Sequence, residues 1–201
     1  MIQALFFGGA FNPPTRAHIE LGHYACMHTG RQKVVYMPSK MSYIRFDQQK
    51  NFAFSDQTRI AMLQKIAENR DWMLVSDHEI NSEKQPRTYD SLCWLKQQGY
   101  QCSLLFGSDK LPELKTGWLH VEEIAKEFGI VCMSRNDEDV NQIIASDPYL
   151  SSLQAWITIL PVPEEYQTIS STRVRKLFLE KKYEEIEKYV PAELNGLREY
   201  D

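Results

Sequence analysis

Four apolar residues, Ala4-Leu5-Phe6-Phe7, run straight into Gly8-Gly9, turn through Asn12-Pro13-Pro14, and meet a helix-compatible segment that carries His18. That order predicts a strand, a tight loop and a helix. Glycines at the strand end let another molecule approach the backbone closely. The helix start turns unsatisfied N–H groups and the positive end of its dipole toward the same point. Together they form an anion cradle, to which Thr15 adds a hydroxyl and His18 an imidazole.

The rest of the chain repeats the alternation of strand and helix. Short apolar runs at 4–7, 33–37, 73–76, 103–106, 130–133 and 158–162 read as strands. Segments 17–30, 56–69, 91–98 and 121–128 carry apolar residues at three- and four-residue spacing and read as helices. Alternating strands and helices with apolar strands predict an α/β fold: a Rossmann-like parallel sheet with helices on both faces and a small helical C-terminal end. Such sheets bind ligands at the carboxyl ends of their strands. The polar stretches 39–54 and 135–149 read as irregular loops. At 201 residues the chain suits one domain, 1–201, whose helical end starts near residue 165.

Charge and cysteine usage narrow the function classes. A net charge of −4 without a basic run argues against a nucleic-acid partner. No apolar stretch is long enough for a bilayer and the N-terminus has no leader-like pattern, so no membrane partner is expected. Cys26, Cys93, Cys102 and Cys132 lack C-x-x-C spacing and read as free thiols of a cytoplasmic protein. His18, His23 and His28 recur every five residues, which spreads them around a helix, so no metal site is expected from them.

Further positions suit ligand chemistry. Lys40, Arg45 and Lys50 place cations in the loop after the second strand. Ser55 or Asp56 can cap the next helix. Asp77-His78-Glu79 suggests a metal cluster only superficially, because neighbours at a strand end point to opposite faces. Thr88 can cap a helix with Asp90 in its first turn. Gly107 directly follows a strand, and Asp109 beside it suits a ribose diol. Trp118 suits stacking on a flat heterocycle or anchoring a helix. Ser170-Ser171-Thr172 and Arg175 bring hydroxyls, amides and a planar fork to a helix start, a second anion site.

The segment Gly8-Gly9-Ala10-Phe11-Asn12-Pro13-Pro14-Thr15-Arg16-Ala17-His18 resembles the GGxFxPxHxGH signature of the HxGH-type nucleotidyltransferases, and within them the nicotinate/nicotinamide mononucleotide adenylyltransferases. Thr15 stands where that signature has its first His, and Ala17 where it has Gly. Ile169-Ser170-Ser171-Thr172-Arg173-Val174-Arg175 is similar to the family's ISSTxIR segment, and Ser55 to Leu63 to its S-x-x-x-R-x-x-M-L segment.

The resemblance implies adenylyl transfer from ATP to a pyridine mononucleotide in NAD biosynthesis, with Mg²⁺ carried on the ATP. It implies that His18, Thr15 and Arg175 are catalytic. It assigns Gly8, Gly9, Ala10, Phe11, Lys50, Gly107, Asp109, Ser170, Ser171 and Thr172 to ATP, and Thr88, Trp118 and Arg135 to the mononucleotide. Lys50 fits the loop cation better than Lys40 or Arg45, and Arg59 is left a structural or remote electrostatic role. Nicotinate against nicotinamide stays open, as does a homo-oligomer. So do another phosphorylated acceptor, such as pantetheine phosphate, and a non-catalytic nucleotide sensor.

Overall fold

The computed structural model describes residues 1–46, 53–134 and 139–197. Six parallel strands form one sheet: β1 (Ile2–Gly9), β2 (Lys33–Pro38), β3 (Met73–Val75), β4 (Tyr100–Gly107), β5 (Ile130–Ser134) and β6 (Ile157–Pro161), in the order β3-β2-β1-β4-β5-β6. All six predicted strands are present, within a few residues of their expected ends. Their side chains explain why. Leu5, Tyr36, Leu105 and Val131 feed one buried cluster, while Ala4, Phe6, Val35, Met37, Leu104 and Phe106 feed another. A strand covered on both faces carries apolar residues at successive positions, as parallel sheets require.

The strand order reverses between β1 and β4, the topological switch point of a doubly wound sheet. Gly8 and Gly9 end β1 in register with Met37 and Pro38, and Gly107 ends β4 next door. The N-terminal loop therefore leaves the sheet where such folds bind ligands.

Helices α1 (Arg16–His28), α2 (Met41–Phe46), α3 (Asp56–Ala67), α4 (His78–Asn81), α5 (Thr88–Gln97) and α6 (Leu111–Thr116) accompany the first four strands. Then come α7 (Val121–Glu123), α8 (Val140–Ser146), α9 (Pro148–Leu153), α10 (Glu164–Gln167), α11 (Ser171–Leu179) and α12 (Tyr183–Ile186). Side-chain caps set several starts: Thr15 accepts from His18 N, Ser55 from Thr58 N and Ser170 from Arg173 N.

Several expectations need correction. Residues 39–54 include α2, and 135–149 include α8 and the start of α9, because Asp139 and Asp147 cap polar segments whose Val140, Ile144 and Leu150 reach the core. The helix expected over 121–128 closes as a π-turn, Ile124–Phe128. His78 and Glu79 lie in α4, not on a strand end, since β3 stops at Val75. Arg87, one residue before Thr88, is the N-cap of α5, and Asp90 accepts its backbone N–H at 3.3 Å. Cys26, Cys102 and Cys132 are buried and form no disulfide, and burial pushes the Cys102 pKa up to about 12. No helix among the described residues is long and apolar enough to cross a membrane.

Candidate active site

The loop after β1 is built from within. Phe11 adopts φ 42° with its ring buried, which sends its side chain into a cluster with Phe7, Tyr36 and His18 at centroid distances of 5.5, 5.6 and 5.2 Å. A left-handed backbone at a non-glycine residue costs about 1–3 kcal/mol, sustained here by that packing. Asn12 is buried, and its Oδ1 accepts Phe54 N at 3.0 Å. From α3, fully buried Arg59 donates Nη1 to Ala10 O at 2.7 Å, Nη2 to Ser39 O at 2.6 Å and Nε to Phe54 O at 3.3 Å, and pairs with Asp56. Burial lowers the Arg59 pKa and Asp56 opposes the shift. Arg59 thus ties the cradle loop, the β2 exit and the α3 entry together, which gives physical content to the structural role expected for it.

Thr15 and His18 form a reciprocal pair at the start of α1. Thr15 N donates to His18 Nδ1 at 3.1 Å, and Thr15 Oγ1 lies 2.8 Å from the same nitrogen. A backbone N–H can only donate, so Nδ1 accepts and the neutral imidazole carries its proton on Nε2. Thr15 is fully buried, and its hydroxyl is engaged with His18. The arrangement makes Thr15 the residue that sets the His18 tautomer.

The second expected anion site meets the first. Ser171 Oγ donates to Pro13 O at 2.8 Å, and Arg175 Nη1 donates to Asn12 O at 2.8 Å. Arg175 Nη2 donates to Thr172 Oγ1 at 3.0 Å, and Ser170 is the N-cap of α11. Burial lowers the Arg175 pKa, yet a guanidinium stays charged in a protein. The chain also clips its ends together through Arg16 N and Tyr189 O at 2.9 Å.

The remaining expected residues divide. Gly107 and exposed Asp109 sit at the β4 exit, and half-buried Trp118 tilts against Phe106 at 6.0 Å. The Thr88 hydroxyl is not the α5 cap and makes no hydrogen bond among the described residues. Lys40 turns to the carbonyls of Ile80 and Ser82, which commits it to a loop and corrects the idea that it serves the cradle. Lys50 and Arg135 lie outside the described residues. His23 stacks on Trp72 at 4.4 Å and His28 meets Tyr24 O at 2.8 Å. No group of three His, Cys, Asp or Glu side chains among the described residues is set for a metal ion. A cavity of about 550 Å³ between β6 and α8, lined by Ser134, Asp139, Asn141, Ile157 and Ile159, shares no lining residue with this constellation.

Sequence reasoning missed the parts played by Asn12, Tyr36 and Glu79. Only the Asn-Pro-Pro string offered a signal for Asn12. Tyr36 and Glu79 are defined by partners distant in sequence.

Residues 6–177 match the family model described as cytidylyltransferase-like. The chain belongs to that family. Among cytidylyltransferase-like relatives, a protein of Caldicellulosiruptor bescii named "Probable nicotinate-nucleotide adenylyltransferase" is 28% identical over 182 residues, covering 90% of this chain and 89% of its own. The Arabidopsis thaliana "Nicotinamide/nicotinic acid mononucleotide adenylyltransferase" is 27% identical, covering 84% of this chain and 76% of its own. The Plasmodium falciparum nicotinic acid mononucleotide adenylyltransferase, solved with NaAD, superposes with a TM-score of 0.75 at 19% identity, over 100% of this chain and 98% of that one. That superposition establishes a shared fold.

Proposed function

We propose that this chain transfers the adenylyl group of ATP to nicotinate mononucleotide or nicotinamide mononucleotide, yielding the dinucleotide and pyrophosphate in NAD biosynthesis. The observation that carries the reading is convergence. Ser171 and Arg175 reach the carbonyls of Pro13 and Asn12, directly before the Thr15–His18 pair, so both anion sites can serve one triphosphate. The names of the relatives support the same reaction and acceptor class.

In this reading the mononucleotide 5′-phosphate oxygen attacks the α-phosphorus of ATP in line. The bond from that phosphorus to the bridging oxygen breaks, and pyrophosphate leaves. Positioning and charge neutralisation carry such transfers, with no covalent intermediate on the protein. His18 donates from Nε2 to the phosphates as charge migrates. Arg175, Ser171 and a loop cation, for which Lys50 is the candidate, hold the departing pyrophosphate with Ser170 and Thr172. Amides at Gly9, Ala10 and Phe11 receive the α-phosphate, Gly8 and Gly107 leave room for backbone approach, and Asp109 takes the ribose. Thr88 and Trp118 face the pyridine nucleotide, and Arg135 is the candidate cation for it. Mg²⁺ arrives on ATP, held mainly by phosphates and water.

Incubation with ATP, magnesium and each mononucleotide, followed by chromatography of the products, tests the reading. Equal amounts of pyrophosphate and dinucleotide support it. Bound ATP with no pyrophosphate from either acceptor rejects it in favour of a nucleotide sensor.

A further inference from the structure

Glu79 is a carboxylate at 4% exposure, and the proposed reaction gives it no part. Its donors come from two separate segments, the loop before α5 and α5 itself. Gln85 Nε2 donates to Oε2, and Ser91 Oγ donates to Oε1 at 2.8 Å. Gln85 uses its other end on the same task, accepting Lys40 N through Oε1 at 2.8 Å. Lys40 Nζ adds a bond to Ile80 O at 2.6 Å and one to Ser82 O. The loop between α4 and α5 is thereby fastened to the exit of β2.

The placement is specific. Gln85 lies three residues before Thr88 and Ser91 three residues after it, so one carboxylate holds both flanks of Thr88. Stability alone does not require a charge here, because apolar residues of similar volume usually serve a buried site as well or better. Two rigid acceptor oxygens fix the directions of two donors, which apolar packing does not do. The β2 exit joins this network to the other half of the site: Lys40 N binds Gln85, and the carbonyl of adjacent Ser39 takes Arg59 Nη2, whose Nη1 holds Ala10 O. Arg59 orders the loop after β1, and Glu79 orders the entry to α5.

We infer that Glu79 is a positioning residue for the acceptor substrate, holding Thr88 and the first turn of α5 where the mononucleotide binds. This rests on the reading that Thr88 faces the mononucleotide.

The test separates the two substrates in steady-state kinetics of Glu79→Ala and Glu79→Gln. In E79A the KM for the mononucleotide rises about tenfold or more while the KM for ATP stays within about twofold. E79Q keeps an acceptor for Gln85 and offers an amide N–H to the Ser91 hydroxyl, so it recovers most of the loss. Should E79A fail to fold, Gln85→Ala and Ser91→Ala each remove one grip and show the same split. Both KM values rising together, or an unchanged mononucleotide KM in a folded variant, overturns the inference. Calorimetric titration with nicotinate mononucleotide and with nicotinamide mononucleotide runs alongside. A wild-type protein that binds either but releases no pyrophosphate defeats the proposed reaction alone, and Glu79 is then judged by whether E79A weakens that binding. Binding of neither overturns both.

Discussion

His18 meets Thr15 through a single ring nitrogen, and that contact decides what the imidazole can donate. Replacing Thr15 by Val removes the hydroxyl cap of α1, costing about 1 kcal/mol of stability. It also loosens the ring, so turnover should fall about tenfold, more than a cap alone explains. Rates equal to wild type, with only the melt lowered, would reduce Thr15 to a cap. Burial raises the Glu79 pKa above its ordinary 4.5. The folded state then keeps a proton that the unfolded chain has released, so stability falls as pH rises from 4.5 through the raised value. E79Q lacks that slope, and denaturant melts across this range check it; equal slopes would contradict it. The two segments that meet through Ser171 and Arg175 stood out in the sequence because short motifs carry them. The direction of the Thr15 hydroxyl was not legible, since it depends on a buried pocket formed by the folded loop.

At the scale of elements, α1 is seated by a tight contact with the sheet. Tyr36 on β2 donates its hydroxyl toward His18 O and Ile19 O, at 3.1 and 3.3 Å. A Cβ added at Gly22 would stand 2.0 Å from that hydroxyl, so only glycine lets the helix lie this close. Gly22→Ala therefore overpacks the seat and destabilises by about 1–3 kcal/mol. In combination with Tyr36→Phe the two losses should fall short of their sum, because both act on one contact. Strictly additive losses in urea melts would contradict the seat. Six strands were readable from apolar runs alone. Helices α2 and α8 escaped because both are short and lie in polar stretches. Capping preference points to Thr88 at the start of α5, whereas the cap stands one residue earlier, at an Arg that no such preference favours.

The whole molecule brings the loop after β1 and the start of α11 together. Ser171 lies 158 residues beyond Pro13 in sequence, yet the two are joined by one hydrogen bond. The reversal of strand order between β1 and β4 places the cradle at the switch point, and α11 returns to close over it. The α/β class and the approximate ends of its strands follow from local pattern, whereas this closure depends on tertiary contacts that no local pattern encodes. If both segments act on one triphosphate, their catalytic effects must be coupled. Pyrophosphate release should be measured for His18→Ala, Arg175→Ala and the double variant, with ATP, magnesium and the preferred mononucleotide. Each single change is predicted to cost about a hundredfold in kcat/KM, and the double variant far less than the product of the two. An Arg175→Ala enzyme at the wild-type rate, or losses that multiply independently, would contradict a shared triphosphate.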